Sequence, residues 1–558
     1  MFRPVNLYIV FLFFCCACTF SCKHKGSPTK KDIVVNPAEM DERVQENIAS
    51  VLSFAGENKN ITADTTLINF IDPVQAYYTE DRMPLWSSKE KWTAPADSLF
   101  GFLEQAAYYG LFSNDYQFEK LKKIKNVLDK DSVKRTDAML WANADVAFTN
   151  AYFSVLQDLK QGRLQPDSLA WKHDTSKYSN FFTANIERVR SGESFAAVLE
   201  SVQPKSEGYE ALRSAIKSFV DSMDTKSYTY LNYPYKDTAA FIKTLKKRLA
   251  ESDIVVAVND SAHLSEAIKK YQVKAGLKAD GKQGPELYKK LNNTDKTKFN
   301  RLAVTLDRYK QLPEKMPEKY IWVNLPGYYL KVWDHDTVAL ESKIICGKPG
   351  TPTPLLASNI TDIIIYPTWT VPTSIISKDM LPALKRNPYY LAKKGMYLLD
   401  NNGDRVDPAG VNWAKYSKGI PYRIQQGSGD DNALGVIKFN FNNPYSVYLH
   451  DTNQRYLFKN GVRSLSHGCV RVQEWEKLAG IIVRNDSIMN KRGDTLRYNA
   501  DSITNWVANK EKHRIDVKNK FPLFIRYFSC EGVNGSVKFY DDMYGDDRAL
   551  LQKYFAGK

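Results

Sequence analysis

Histidine and cysteine are scarce in this 558-residue chain, seven of each, and four of the cysteines (Cys15, Cys16, Cys18 and Cys22) crowd into the first 22 positions. Only Cys346, Cys469 and Cys530 remain for the body. An odd number excludes a complete disulfide framework, and more than 500 residues bury enough surface to need none. If Cys469 stays reduced, Cys346–Cys530 is the one bridge left; both read better as small buried strand residues. His-Glu-x-x-His is missing, as is any Cys-x-x-Cys beyond residue 22. A metal centre of either type is therefore not expected, and no cofactor motif is present.

Acidic residues are in deficit, 63 against 78 basic ones, for a net charge of +15. In the cytoplasm that balance would raise nucleic acid as a partner. The N-terminus argues against that compartment. Arg3 is a minimal basic start, and Leu7 to Cys18 is apolar but too short to span a bilayer as a settled helix. Thr19-Phe20-Ser21-Cys22 follows and resembles a lipobox, with Cys22 as the lipidated residue; Thr19 stands where Leu is usual, and Cys18 after Ala17 is the alternative site. An uncleaved anchor gives the same topology. Residues 1–22 are thus expected to be a lipoprotein signal peptide, with a periplasm-facing membrane lipoprotein as product. Basic residues are spread along the chain, which suits a solvated surface or mild attraction to an anionic wall polymer. No nucleic-acid partner is expected.

The chemistry concentrates near the C-terminal end, in Ser466-His467-Gly468-Cys469-Val470-Arg471, with Tyr448-Leu449-His450-Asp451 upstream. Only a thiolate attacks, so Cys469 needs an imidazole or a set of N–H donors nearby. Gly468 permits a tight turn that aims successive N–H groups at one oxyanion. His450 and His467 with Cys469 would also make three soft zinc ligands. A turn suits an exposed thiol better than a packed one, so Cys469 is expected to be the nucleophile and His450 its base. His467 orients the turn or the substrate.

This block resembles the signature of the L,D-transpeptidase catalytic domain, in which His, then Ser-His-Gly-Cys and Arg, follow in this order. Gly347-Lys348-Pro349-Gly350-Thr351-Pro352-Thr353-Pro354, Pro367-Thr368-Trp369-Thr370-Val371-Pro372 and Asn432-Ala433-Leu434-Gly435 extend the likeness. The resemblance implies acyl transfer from a peptidoglycan tetrapeptide to a diaminopimelate amine, making 3-3 cross-links. It also implies reaction with carbapenems. Arg471, Tyr448, Trp369 and Asn432 are expected to bind substrate; Arg471 either holds a carboxylate or braces its loop. Two alternatives stay open: an L,D-carboxypeptidase or endopeptidase with water as acceptor, and a non-catalytic wall-binding lipoprotein.

The rest of the chain reads as a multidomain α+β protein. Residues 23–64 are polar and read as a tether. Residues 65–235 carry apolar residues at helical spacing, as in Leu99-Phe102-Leu103-Ala106. With Tyr77-Tyr78, Arg82, Trp86 and Gly162-Arg163-Leu164, they resemble the helical scaffold domain of the large L,D-transpeptidases, which would hold cell-wall synthesis partners. Residues 236–300, with Gly276-Leu277-Lys278-Ala279-Asp280-Gly281, resemble a small three-helix peptidoglycan-binding module. A linker helix at 301–319 follows. The period then drops to two, as in Tyr320-Ile321-Trp322-Val323, and 320–550 is expected to be a mainly β catalytic domain. Its insert at 373–418 has helical character and is expected to be a lid.

Overall fold

The computed structural model describes residues 30–79, 82–164, 180–255, 261–489 and 498–555. The signal peptide, Cys22 and Cys18 lie outside them. The chain divides into two compact units. The first takes the described residues up to 105, those of 113–156 and those of 175–201; the second takes 106–112, 157–164 and the described residues from 202 on.

The first unit is helical. Helix Ala138–Lys160 runs through it, apolar on nearly every face, with Ala142, Val146, Phe148, Tyr152 and Val155 all buried. The motif residues expected of a scaffold serve its packing. Asp145, inside this helix, accepts the Tyr78 hydroxyl at 2.6 Å and the Trp86 N–H at 2.9 Å, and the Trp86 indole donates to Thr149 at 2.8 Å. Burial pushes the Asp145 carboxyl up to about 6. The expected tether is not one. From residue 30 on it is folded, and Met40–Glu57 is a helix that buries Met40, Val44, Ile48, Val51 and Leu52. Its apolar residues recur every three or four positions, a period that the polar composition around them hid.

In the second unit, helices Thr238–Ala250, Ser261–Lys274 and Pro285–Asn292 form the small three-helix module around Leu245, Leu249, Ile268, Leu287 and Leu291. Gln272 clamps the Asp-Gly turn, bonding Asp280 at 2.9 Å and the Gly281 N–H at 2.8 Å. Helix Glu207–Ser222 also packs in this unit: Tyr209, Leu212 and Ile216 meet Trp322, Phe524 and Phe528. The linker helix starts earlier than expected, at Asp295, and runs to Lys310, with Arg301, Asp307, Arg308 and Lys310 buried and paired. Arg308 meets Asp547 at 2.7 Å and Asp546 at 2.5 Å, and Lys310 meets Asp307 at 2.8 Å.

Among the described residues nine strands make the main sheet. In spatial order they are Ser464–Ser466, Thr337–Gly347, Val470–Val472, Leu449–His450, Ile437–Phe441, Leu356–Ile365, His513–Arg526, Lys319–Asn324 and Tyr329–Asp334. Tyr329–Asp334 also pairs with Thr337–Gly347, so the sheet closes on itself. Ile344, Ile363, Phe439, Leu449, Val470 and Leu523 fill its core. Cys346 and Cys530 are free and buried, as expected of small strand residues, and burial pushes both thiols up to about 12.

The insert is a small body of mixed structure and extends past its expected limits. Three short helical segments lie between Thr373 and Arg386. Strands Met396–Leu399, Arg405–Val406 and Arg423–Gln426 join Trp369–Thr370 in a four-stranded sheet. Ile376, Leu384, Leu398, Trp413 and Ile424 form its core. Residues Met396-Tyr397-Leu398-Leu399 before the Asn401-Asn402-Gly403 turn are the strand signal that a helical reading passes over.

Candidate functional site

Alternation along three neighbouring strands builds the site. On one face of the sheet, Ile437, Phe439, Leu449, Val470 and Val472 point into the core. The residues between them must point the other way. Register places Lys438 opposite His450 and His450 beside Arg471. Tyr448 and Cys469, each two residues before a member of that row, share its face. Tyr448, His450, Cys469 and Arg471 accordingly line one groove of about 310 Å³. Trp369, Thr373, Ser374 and Ile375 border it from the insert, and His467 completes the rim.

The nucleophile loop rests on the Gly347–Pro354 loop. Ser466 accepts the Lys348 N–H at 2.9 Å through its carbonyl, and the Thr353 hydroxyl donates to the Gly468 carbonyl at 2.8 Å. Thr353 in turn accepts the Gly347 N–H at 2.9 Å. Inside the loop, the Ser466 hydroxyl donates to the Cys469 carbonyl at 2.6 Å and accepts the Gly468 N–H at 3.1 Å. Gly468 has φ +126°, a conformation in which a side chain would be strained. The loop is thus fixed before any ligand arrives. It also corrects one expectation: the Gly468 N–H is spent on Ser466 and cannot serve an oxyanion. Among the described residues nothing accepts the Cys469 N–H.

Electrostatics decide the resting protonation. Burial lowers His450 to about 3, with the Arg471 charge next and Lys438 adding to it. The backbones of Leu434 and Asp451 favour the charged ring, yet Nδ1 is buried with no partner in hydrogen-bonding geometry. His450 is therefore neutral at pH 7. Burial raises the Cys469 thiol, although the residue keeps a partly exposed face. Opposing that rise are the Tyr448 backbone and hydroxyl, then Lys438 and Arg471, all of which favour thiolate. Among the described residues no hydrogen bond joins the sulfur to the His450 ring.

Behind His450 the chain is locked. Asp451 is fully buried and bound by Arg455 at 2.6 and 3.0 Å, with the Val436 N–H at 3.1 Å. Arg471 reaches Thr452 and Gln454, both at 3.3 Å. His467 does not turn toward the sulfur; its Nε2 meets Asp379 of the insert at 2.5 Å. Asn432 leaves the expected set. It is buried, donates to the carbonyls of Gly427 and Pro367 at 2.7 and 3.2 Å, accepts the Leu434 N–H at 2.8 Å, and does not line the groove. It braces a turn. Lys438 and Asp379 carry no site signal in the sequence: one sits in a strand of alternating residues and the other is 88 residues from its partner. Among the described residues no three His, Cys, Asp or Glu side chains gather as a ligand set.

Comparison with known proteins bears on this geometry. Residues 318–489 match the L,D-transpeptidase catalytic domain, and residues 72–216 match a domain described as the scaffold domain. A Haemophilus influenzae protein named "Putative L,D-transpeptidase" is 33% identical over 250 residues, 45% of this chain and 48% of its own length. The chain thus spans about half the length of that relative. The catalytic domain of Enterococcus faecium L,D-transpeptidase acylated by ertapenem is 14% identical. It covers 38% of this chain and 99% of its own, at a TM-score of 0.17. Mycobacterium tuberculosis L,D-transpeptidase 1 is 10% identical over 38% of this chain and 61% of its own, at 0.15. At those TM-scores the structural likeness carries no argument.

Proposed function

We propose that the chain, whose residues 318–489 match the L,D-transpeptidase catalytic domain, is a cysteine-dependent acyltransferase that cross-links peptidoglycan stem peptides. The observation that carries this reading is the convergence of Cys469, Tyr448, His450 and Arg471 on one groove. The Cys469 sulfur attacks the amide carbonyl that joins an L-centre to the terminal D-alanine of a tetrapeptide. As the S–C bond forms, the thiol proton passes to neutral His450, so charge separates only while the carbonyl oxygen gains its own. The unengaged Cys469 N–H meets that oxygen, an interaction worth roughly 3–4 kcal/mol in comparable sites. The C–N bond then breaks, D-alanine leaves with the proton, and a thioester remains. A diaminopimelate amine attacks the thioester and gives a proton to neutral His450; the C–S bond breaks as the 3-3 amide forms, and the proton returns to the departing Cys469 sulfur.

The insert supports amine over water as acceptor. Its residues Thr373 to Ile375 wall the groove, which limits solvent at the thioester. In this reading Arg471, half-buried on the same face, holds a substrate carboxylate. The same proposal includes a lipid anchor at Cys22, an envelope location facing the wall, binding of wall polymer by 236–300 and partner binding by the scaffold. These parts rest on sequence. Incubating the purified protein with a disaccharide-tetrapeptide and separating products by mass spectrometry tests the reaction. Cross-linked dimer supports transfer, tripeptide alone makes it a hydrolase, and unchanged substrate sinks the proposal.

A further inference from the structure

The geometry points to Lys438 as a positioning residue that holds the Tyr448 ring against Cys469 and sets the charge around the sulfur. This rests on the reading of Cys469 as nucleophile. Lys438 stands inside strand Ile437–Phe441, and its register partner is His450. Its ammonium lies 4.1 Å from the centroid of the Tyr448 ring. That ring is 5.5 Å from the His450 ring, and its hydroxyl faces the sulfur. Lys438, Tyr448 and His450 therefore pack in series beside Cys469.

Among the described residues the lysine has no ion pair to explain its place. The carboxylate nearest in influence, Asp362, is engaged by Asn440 at 2.7 Å and Thr361 at 3.0 Å, with Arg514 at 3.7 Å. A half-buried ammonium without a carboxylate is costly. Part of that cost is offset by the aromatic face beneath it. The remainder is offset only when negative charge appears nearby, and the sulfur is where it appears. Lys438 favours the thiolate and at the same time disfavours protonation of His450. One cation thus keeps the base neutral and ready while easing the thiol toward its reactive form. The other groups facing the sulfur are Tyr448, His450 and Arg471, with His467 across the groove already paired to Asp379.

A plain packing role makes a different prediction. If the lysine stem only covers apolar surface, Lys438→Met should be harmless. The test uses the full chain and reads iodoacetamide labelling of Cys469 by peptide mass mapping from pH 5 to 10, with circular dichroism to confirm folding. The wild-type profile gives the midpoint of thiolate formation. Lys438→Met should raise that midpoint by about one pH unit, a roughly tenfold slower labelling at a fixed pH below it. Lys438→Arg should restore most of the shift. If Lys438→Met does not fold, Lys438→Gln replaces it with the same expectation. A folded neutral variant whose profile overlays the wild type overturns the Lys438 assignment and leaves the nucleophile untouched. A wild type whose Cys469 never labels overturns both.

Discussion

Asp379 of the insert and His467 of the Ser-His-Gly-Cys loop meet at 2.5 Å, Oδ2 to Nε2, so the insert is tied to the same loop that carries the nucleophile. Both side chains are about two-fifths exposed, 43% and 37%. A contact that open contributes at most about 1 kcal/mol. It can tilt an equilibrium but cannot clamp it.

The first prediction follows from that pair. Asp379→Ala should loosen the insert and admit water, raising the ratio of tripeptide to dimer by up to about fivefold, the factor that 1 kcal/mol allows. Labelling of Cys469 by a small thiol reagent should not slow. An unchanged product ratio would show that the contact does not govern solvent access.

Cys469→Ala should abolish transfer and leave the melting temperature nearly unchanged, since a residue at the groove surface carries little core packing. Intact-mass measurement after carbapenem treatment should find an adduct on the wild type and none on the variant. Activity that survives in Cys469→Ala, or that chelators remove and zinc restores, would eliminate the thiol mechanism.

His450 predicts a pH dependence of stability. Its folded value, about 3, lies below the ordinary histidine value of 6.5. Above pH 6.5 the ring is neutral in both states and contributes nothing. Between 6.5 and 3 the unfolded chain takes up a proton that the folded site refuses, so stability falls as pH falls. At pH 5 the loss should be about 2 kcal/mol. Urea denaturation at pH 7.5 and 5.0 measures it, with His450→Gln as the reference that lacks this component. Equal pH dependence in both proteins would contradict the buried neutral ring.

Gly435 stands at φ +64°, and a Cβ there would lie 2.2 Å from Asp451 Oδ2 and 2.6 Å from the Thr452 N–H. Gly435→Ala should therefore cost about 2–4 kcal/mol and displace the segment that carries His450. Thermal melting and tetrapeptide turnover should both fall, the second more than the first. A variant with wild-type melting would mean that the Asp451–Arg455 pair yields easily.

Much of the site was legible before the fold was known because its residues sit close together in sequence. His450 and Arg471 fall on two short strands, Tyr448 and Cys469 just before them, and alternation by two puts all four on one face. What the sequence hid depends on partners far along the chain. The Gly468 N–H looks available until Ser466 is seen to take it, and Asn432 looks like a site residue until its amide is found bonding three backbone groups. Lys438 reads as the polar member of an alternating strand; only the register across from His450 gives it a neighbour. The helix at Met40–Glu57 was masked by the polar residues that flank it, since its stripe is narrow and composition averages it away.

The closed sheet has a further consequence. Strand His513–Arg526 lies between Leu356–Ile365 and Lys319–Asn324, pairing with the second of these in parallel. Every residue of the groove precedes it. A chain synthesised only as far as residue 489 would hold the complete set of reactive groups and still present two unpaired strand edges, open to any other extended segment. Closure of the sheet waits for residues 513–526 to be made. A nascent chain therefore carries its nucleophile well before it has a framework able to aim it.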